Sequence, residues 1–165
     1  MMFLLELITA AENTLSVFKA RQSMIVTAES CTGGLISAVL TEIPGSSEVV
    51  ERGFVTYSNA AKSECLNVSA DLLEAHGAVS REVALAMASG ALENSKADFS
   101  VAVTGVAGPD GGTPEKPVGL VYIAAADRDG HTVDQVLRLG DIGRTRVRFE
   151  TVIAALGLVT GMLDC

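Results

Sequence analysis

The chain has 165 residues and a formal net charge of −8, so a general nucleic-acid binder, which normally carries a basic face, is not expected. Hydrophobic residues make up 48%, yet the longest apolar runs, Val118–Ala126 and Val152–Val159, fall short of the roughly 18 residues a membrane span needs. A chain near 150 residues can bury about 68–70% of its unfolded surface in one domain, and an excess of apolar residues beyond that core fits a homo-oligomer, most simply a dimer.

The N-terminus does not read as a signal peptide. Met1–Leu5 is apolar, but Glu6 and Glu12 follow and the first cation is Lys19, so a cytoplasmic protein is expected. Cys31, Cys65 and Cys165 form no CxxC pair, and His76 and His131 stand apart with no HExxH and no clustered Asp/His set. Neither a disulfide scaffold, nor a metal site, nor a bound cofactor is expected.

In chain order, residues Met2–Arg21 read as a helix, with Leu4, Ile8, Ala11, Leu15 and Phe18 at helical spacing. Met24–Ala28 is a short apolar run and hence a buried strand. Thr32–Leu40 turns helical and ends at Pro44-Gly45. Gly53–Tyr57 is a second strand, and Ala60–Leu66 and Ala70–His76 are short helices, the latter closed by Gly77. Ser80 caps a helix that runs to about Ser95. Phe99–Thr104, uncharged and rich in small and β-branched residues, reads as a central strand.

Residues Gly105–Pro117 then hold four glycines and three of the four prolines, a density typical of a functional loop. Val118–Ala126 and Thr132–Leu139 flank an Asp-Gly turn and form an antiparallel hairpin. Gly143–Leu163 is the closing helix. These elements give a single α/β domain over residues 1–165, a three-layer α/β/α sandwich with a mixed sheet.

Four segments could carry chemistry. Thr27–Gly34 ends a strand on Glu29-Ser30 and opens a helix on two glycines, and ligands of open α/β sheets bind outside the carboxyl ends of the strands. Unpaired N–H groups at such a helix start suit an anion or oxyanion. Val103–Gly112 repeats the arrangement with Thr104, Gly105 and Gly108. Tyr57 ends a strand five residues before Lys62; since neither histidine lies near a strand end, a Ser-Lys pair is the available alternative to a Ser-His-Asp triad. A lysine serving as base would need its pKa lowered by burial or a neighbouring cation. Gly140–Arg146 places Arg144 at a helix start, where a guanidinium suits a phosphate.

Each segment alone also has a plainer reading. Ser30 or Thr32 could be only an N-cap, the glycine loop only a flexible connection, and Lys62 a solvated helix residue. Arg146 and Arg148 are read as surface charges. Cys31 adjoins Ser30 on an extended segment, so only one of the two can face a pocket, and Cys31 is assigned to the core.

Taken together, TAESCTGG (Thr27–Gly34), PGSS (Pro44–Ser47), GFVTYSNAAK (Gly53–Lys62), GAVS (Gly77–Ser80), AVTGVAGPDGGTPEKPVG (Ala102–Gly119) and RTR (Arg144–Arg146) resemble the C-terminal domain family of the competence/damage-inducible protein CinA. The motifs are long and run in order over nearly the whole chain. The resemblance implies a compact, usually oligomeric α/β/α domain that hydrolyses the carboxamide of nicotinamide mononucleotide, as in pyridine nucleotide recycling, without a cofactor. Carried over by motif, Ser30 would be the nucleophile and Lys62 its base, with Tyr57 and Thr104 lining the reacting centre. Thr32, Gly33, Gly34, Gly105, Gly108 and Arg144 would hold the nucleotide or the oxyanion. The alternative is a nucleotide-sensing module of the same fold, which would keep Arg144 and the glycine loops without needing the Ser30/Lys62 pair; a phosphate-handling hydrolase is disfavoured because GxxxxGK[ST] is absent.

Overall fold

A computed structural model describes residues 3–164; Met2 of the expected first helix and Cys165 lie outside them. Six helices and five strands follow one another as α1 (Leu5–Ala20), β1 (Ile25–Glu29), α2 (Leu35–Glu42), β2 (Val50–Val55), α3 (Asn59–Leu66), α4 (Ala70–His76), α5 (Arg81–Glu93), β3 (Phe99–Gly105), β4 (Leu120–Asp127), β5 (Thr132–Arg138) and α6 (Arg144–Gly161), with 3-10 turns at Ser46–Glu48 and Met162–Asp164. The strand order is β2-β1-β3-β4-β5. β1 pairs in parallel with both β2 and β3, while β3-β4 and β4-β5 are antiparallel. The sheet is therefore mixed, with β3 central and the expected hairpin at one edge.

Side chains alternate across a strand, and the alternation divides the core in two. Ile25, Val101, Val103, Val121, Ile123 and Ala125 pack against α1, α2 and α6. Val26, Ala28, Ala102, Ala124 and Ala126 pack against α3, α4 and α5. The second face is nearly all alanine, which lets α5 lie close; Ser100 Oγ there donates to the Ala88 carbonyl of α5 at 2.8 Å. The result is the expected three-layer sandwich.

Local rules set most helix starts. Ser58, Ser69 and Ser80 are N-caps whose hydroxyls accept from Ala61, Leu72 and Val83 N–H groups. Strand β2 begins three residues earlier than the expected Gly53–Tyr57, because its pairing with β1 runs from Val50 to Val55, so Tyr57 stands two residues past the strand end rather than on it. Two helix starts differ from expectation by more than one residue. Helix α1 begins at Leu5, because Leu4 is extended (φ −64°, ψ 148°). Helix α2 begins three residues after Thr32, because Gly33 (φ +60°) and Gly34 (φ +97°) are left-handed and cannot continue a right-handed turn. Those two glycines make a tight corner between β1 and α2, and that corner holds the site.

Candidate active site

The three parallel strands end side by side at Glu29, Val55 and Gly105. Continuing the alternation of Val26 and Ala28 puts Ser30 on the face of the sheet covered by α3–α5. The same parity puts Thr104, following Ser100 and Ala102, on that face, and Lys62 projects from α3 to meet Ser30. Lys62 Nζ lies 3.0 Å from Ser30 Oγ and 2.9 Å from the Thr56 carbonyl. Lys62 is 1% exposed and Ser30 9%.

A lysine in that position has lost its hydration and gained no carboxylate. Its two hydrogen-bond partners are a hydroxyl and a carbonyl, whereas an ammonium has three donors to satisfy. Burial accordingly holds the Lys62 pKa below the ordinary lysine value, opposed only by the neighbouring Cys31 thiol. In the neutral form Nζ carries a lone pair that can accept the Ser30 proton. This is the lowered pKa that a lysine base requires, and the cause is desolvation rather than a second cation.

Cys31 faces the other way. It is 6% exposed within the cluster of α1, α2 and α6, and burial pushes its thiol up to about 12, so it is no thiolate near neutral pH. Two adjacent nucleophile-type residues are thus sorted by strand parity alone.

A second group of expected residues meets on the opposite side of the same strand ends. Arg144, the first residue of α6, donates through Nη1 to the Gly108 carbonyl at 2.8 Å and through Nη2 to Tyr57 Oη at 3.0 Å. Tyr57 is 61% exposed, so this bridge forms the rim of the site. Thr104 is 1% exposed, and its hydroxyl donates to the Ala78 carbonyl at 2.7 Å, tying the α4–α5 connection behind the site. Gly105 closes β3 opposite Val121 of β4.

The glycine corner is held differently from the expectation that its N–H groups stand free. Gly33 N–H donates to the Ser30 carbonyl at 3.0 Å, and Gly34 N–H to Glu29 Oε2 at 3.2 Å. Glu29 also takes the N–H groups of Ile36 and Ser37 and the Thr32 hydroxyl, so a buried carboxylate, not a ligand, occupies the start of α2. Sequence reasoning passed over Glu29; a carboxylate at a strand end five to eight residues before a helix's first free amides was the available signal.

Two further readings change. Arg146 is a surface charge paired with Glu6 and Glu150, as expected. Arg148 is not: it is half-buried, and its Nη2 donates to the Thr32 carbonyl at 2.8 Å. One turn after Arg144 on α6, it shares that residue's helix face, which the i, i+4 spacing could have shown. The chain also does contain an Asp/His group, since ligand atoms of Asp127, Asp129 and His131 lie within 4.8 Å of one another. Asp127 is already paired with His131 and sits opposite Phe99, about 20 Å down the sheet from Ser30.

Comparison with known proteins places these residues in context. The family description "CinA C-terminal domain" matches residues 8–163. A "Putative competence-damage inducible protein" of Acetivibrio thermocellus is 53% identical over 82% of the chain, and a "CinA-like protein" of Colwellia psychrerythraea is 49% identical over 90%. The chain spans about a third of the length of each, 32% and 33%. "Nicotinamide-nucleotide amidohydrolase PncC" of Escherichia coli K12 is 49% identical over 78% of both chains. Among solved structures, a competence/damage inducible protein of Agrobacterium tumefaciens superposes with a TM-score of 0.96 at 50% identity, covering 100% of this chain and 99% of that one. A CinA-superfamily protein of Escherichia coli gives 0.86 at 33% identity, covering 99% and 95%.

Proposed function

The chain belongs to the CinA C-terminal domain family, and we propose that within it residues 1–165 act as one amidohydrolase domain that converts nicotinamide mononucleotide to nicotinate mononucleotide and ammonia. The reading is supported by the 49% identity to the Escherichia coli nicotinamide-nucleotide amidohydrolase. The observation that carries it is the 3.0 Å contact between Ser30 Oγ and the desolvated Nζ of Lys62.

An amide resists hydrolysis because its nitrogen is a poor leaving group and water a poor nucleophile. Neutral Lys62 takes the Ser30 proton as Oγ attacks the carboxamide carbon. The resulting ammonium returns that proton to the departing nitrogen, and ammonia leaves an ester on Ser30. Lys62, neutral again, then takes a proton from a water that attacks the ester and hands it to Ser30 Oγ as the carboxylate leaves, which restores both groups. One group serving as base and then acid contributes roughly 10²–10⁴-fold. Tyr57 stands at the rim of the reacting centre and Thr104 supports it from behind, Arg144 meets the 5′-phosphate, and Thr32, Gly33, Gly34, Gly105 and Gly108 shape the backbone wall between. No cofactor or metal enters the scheme.

The same reading makes the partner a small nucleotide, with no role for nucleic acid, and the compartment the cytoplasm; no helix among the described residues is long and apolar enough to cross a membrane. It also includes self-association. Val133 (37% exposed) on β5 lies beside a groove of about 480 Å³ lined by Ala154, Gly157, Leu158 and Met162 of the C-terminal helical region, a face that a dimer would cover.

Incubating the purified protein with nicotinamide mononucleotide and measuring ammonia together with nicotinate mononucleotide tests the reading. Equal amounts of the two products are expected; a protein that binds the nucleotide and leaves it intact contradicts it.

A further inference from the structure

Glu29 has no solvent exposure and directly precedes the nucleophile of the proposed reaction, yet the mechanism gives it no proton to carry. Its Oε2 accepts from Thr32 Oγ1 at 2.6 Å, Ile36 N–H at 2.9 Å and Gly34 N–H at 3.2 Å. Its Oε1 accepts from Ser37 N–H at 2.9 Å and from Thr27 Oγ1 at 3.4 Å. A carboxylate offers about four lone-pair sites, so this one is saturated, and its charge is met by the positive end of α2. Lys62, by contrast, bonds to Ser30 and Thr56.

These bonds converge on the corner that carries Ser30. Thr32 is fully buried, with its hydroxyl on Glu29 and its carbonyl on Arg148 of α6 at 2.8 Å. Ser30 N–H is fixed to the Val103 carbonyl of β3 at 3.1 Å, and its own carbonyl receives Gly33 N–H. The backbone of Ser30 is thus bonded to β3 and to Gly33 of the corner, and the Glu29–Thr32–Arg148 clamp holds that corner in place.

We infer that Glu29 is a positioning residue for acyl transfer, its carboxylate locking the Cys31–Gly34 corner against the end of β1 so that Ser30 Oγ stays on Lys62. The inference rests on the amidase reading above. A glutamine keeps the shape but turns an amide toward groups that themselves donate, leaving buried donors unmet. Losing about 1 Å of placement at a reacting atom costs on the order of 100-fold in rate.

The experiment is steady-state ammonia release from nicotinamide mononucleotide by the full chain, with kcat referred to the folded fraction at the assay temperature. For Glu29→Gln, kcat of the folded enzyme is expected to fall at least about 30-fold with KM within about threefold, and the pH midpoint set by Lys62 unchanged. A purely structural role would lower the melting temperature and leave kcat of the folded fraction at the wild-type value, which would overturn the inference. Should Glu29→Gln not fold, Thr32→Val removes only the hydroxyl donor at nearly constant volume. A fall in kcat of about 3- to 10-fold at constant KM is expected for it; an unchanged kcat, or a rise in KM alone, would overturn the inference. Absence of ammonia from the wild-type protein overturns the amidase reading and this inference with it, whereas an active wild type beside an equally active Glu29→Gln overturns the inference alone.

Discussion

Ser30 and Cys31 are neighbours with opposite fates, and the difference is one residue of strand parity. The Cys31 thiol, buried and raised to about 12, should resist iodoacetamide at pH 8 while the exposed Cys65 reacts; peptide mapping by mass spectrometry checks this, and labelling of Cys31 in the folded protein would contradict the assigned orientation. Lys62 gives a second test, because its depressed pKa has two signs to obey. The proposed reaction needs neutral Lys62, so kcat/KM should rise with pH through a midpoint below the ordinary lysine value. The unfolded chain binds the lysine proton up to a higher pH than the folded chain does, so the folded state is penalised fully at low pH and recovers as pH climbs toward the unfolded value. The stability of the wild type relative to Lys62→Met should accordingly increase on going from pH 7 to pH 10 in urea titrations. Arg144 is proposed as the phosphate partner; its Nε and two further N–H hydrogens remain beyond the bonds to Gly108 and Tyr57. Arg144→Ala should raise KM for the mononucleotide by roughly 10- to 100-fold with a smaller change in kcat. Equal KM values for mutant and wild type would move the phosphate elsewhere.

The order of helices and strands was readable because many have a local cause: apolar runs for β1 and β3, a closing glycine for α4, a serine cap for α5, an Asp-Gly turn between β4 and β5. What could not be read lies where a distant or oppositely signed group decides. The start of α2 is displaced by two left-handed glycines, the amide of Gly33 ending on the Ser30 carbonyl and that of Gly34 on Glu29, and Arg148 looks like a surface charge until α6 is packed beside the β1–α2 corner. The placement of Lys62 has a similar non-local origin, since α3 is set by its crossing with α5. A Cβ on Gly90 of α5 would stand 1.8 Å from the Leu66 carbonyl that ends α3. Gly90→Ala must push α3 outward, and Lys62 with it. A loss of about 1–3 kcal/mol in urea unfolding is expected, together with a kcat lowered at least about tenfold in the folded fraction. Wild-type kcat in that variant would mean that the α3–α5 crossing does not set the lysine.

The assembled molecule is a mixed sheet between two helical layers, with one layer delivering the lysine and the other the arginine to the same strand ends. Its apolar excess is only partly explained by that core. Val152, Ala155, Leu156 and Val159 of α6 are fully buried, but Ala154 and Leu158 border the open groove beside β5. Light scattering at micromolar concentration should give about twice the 17.1 kDa chain mass; a monomer would refute the dimer. The most direct test of the account is ammonia release from nicotinamide mononucleotide by wild type, Ser30→Ala, Lys62→Met and the double variant, measured side by side. If Ser30 and Lys62 act as one unit, each single variant should lose activity by about 10⁴-fold or more and the double variant should be hardly worse than either. Retention of most activity by Ser30→Ala would contradict covalent catalysis at Ser30 and leave direct attack by water on the amide.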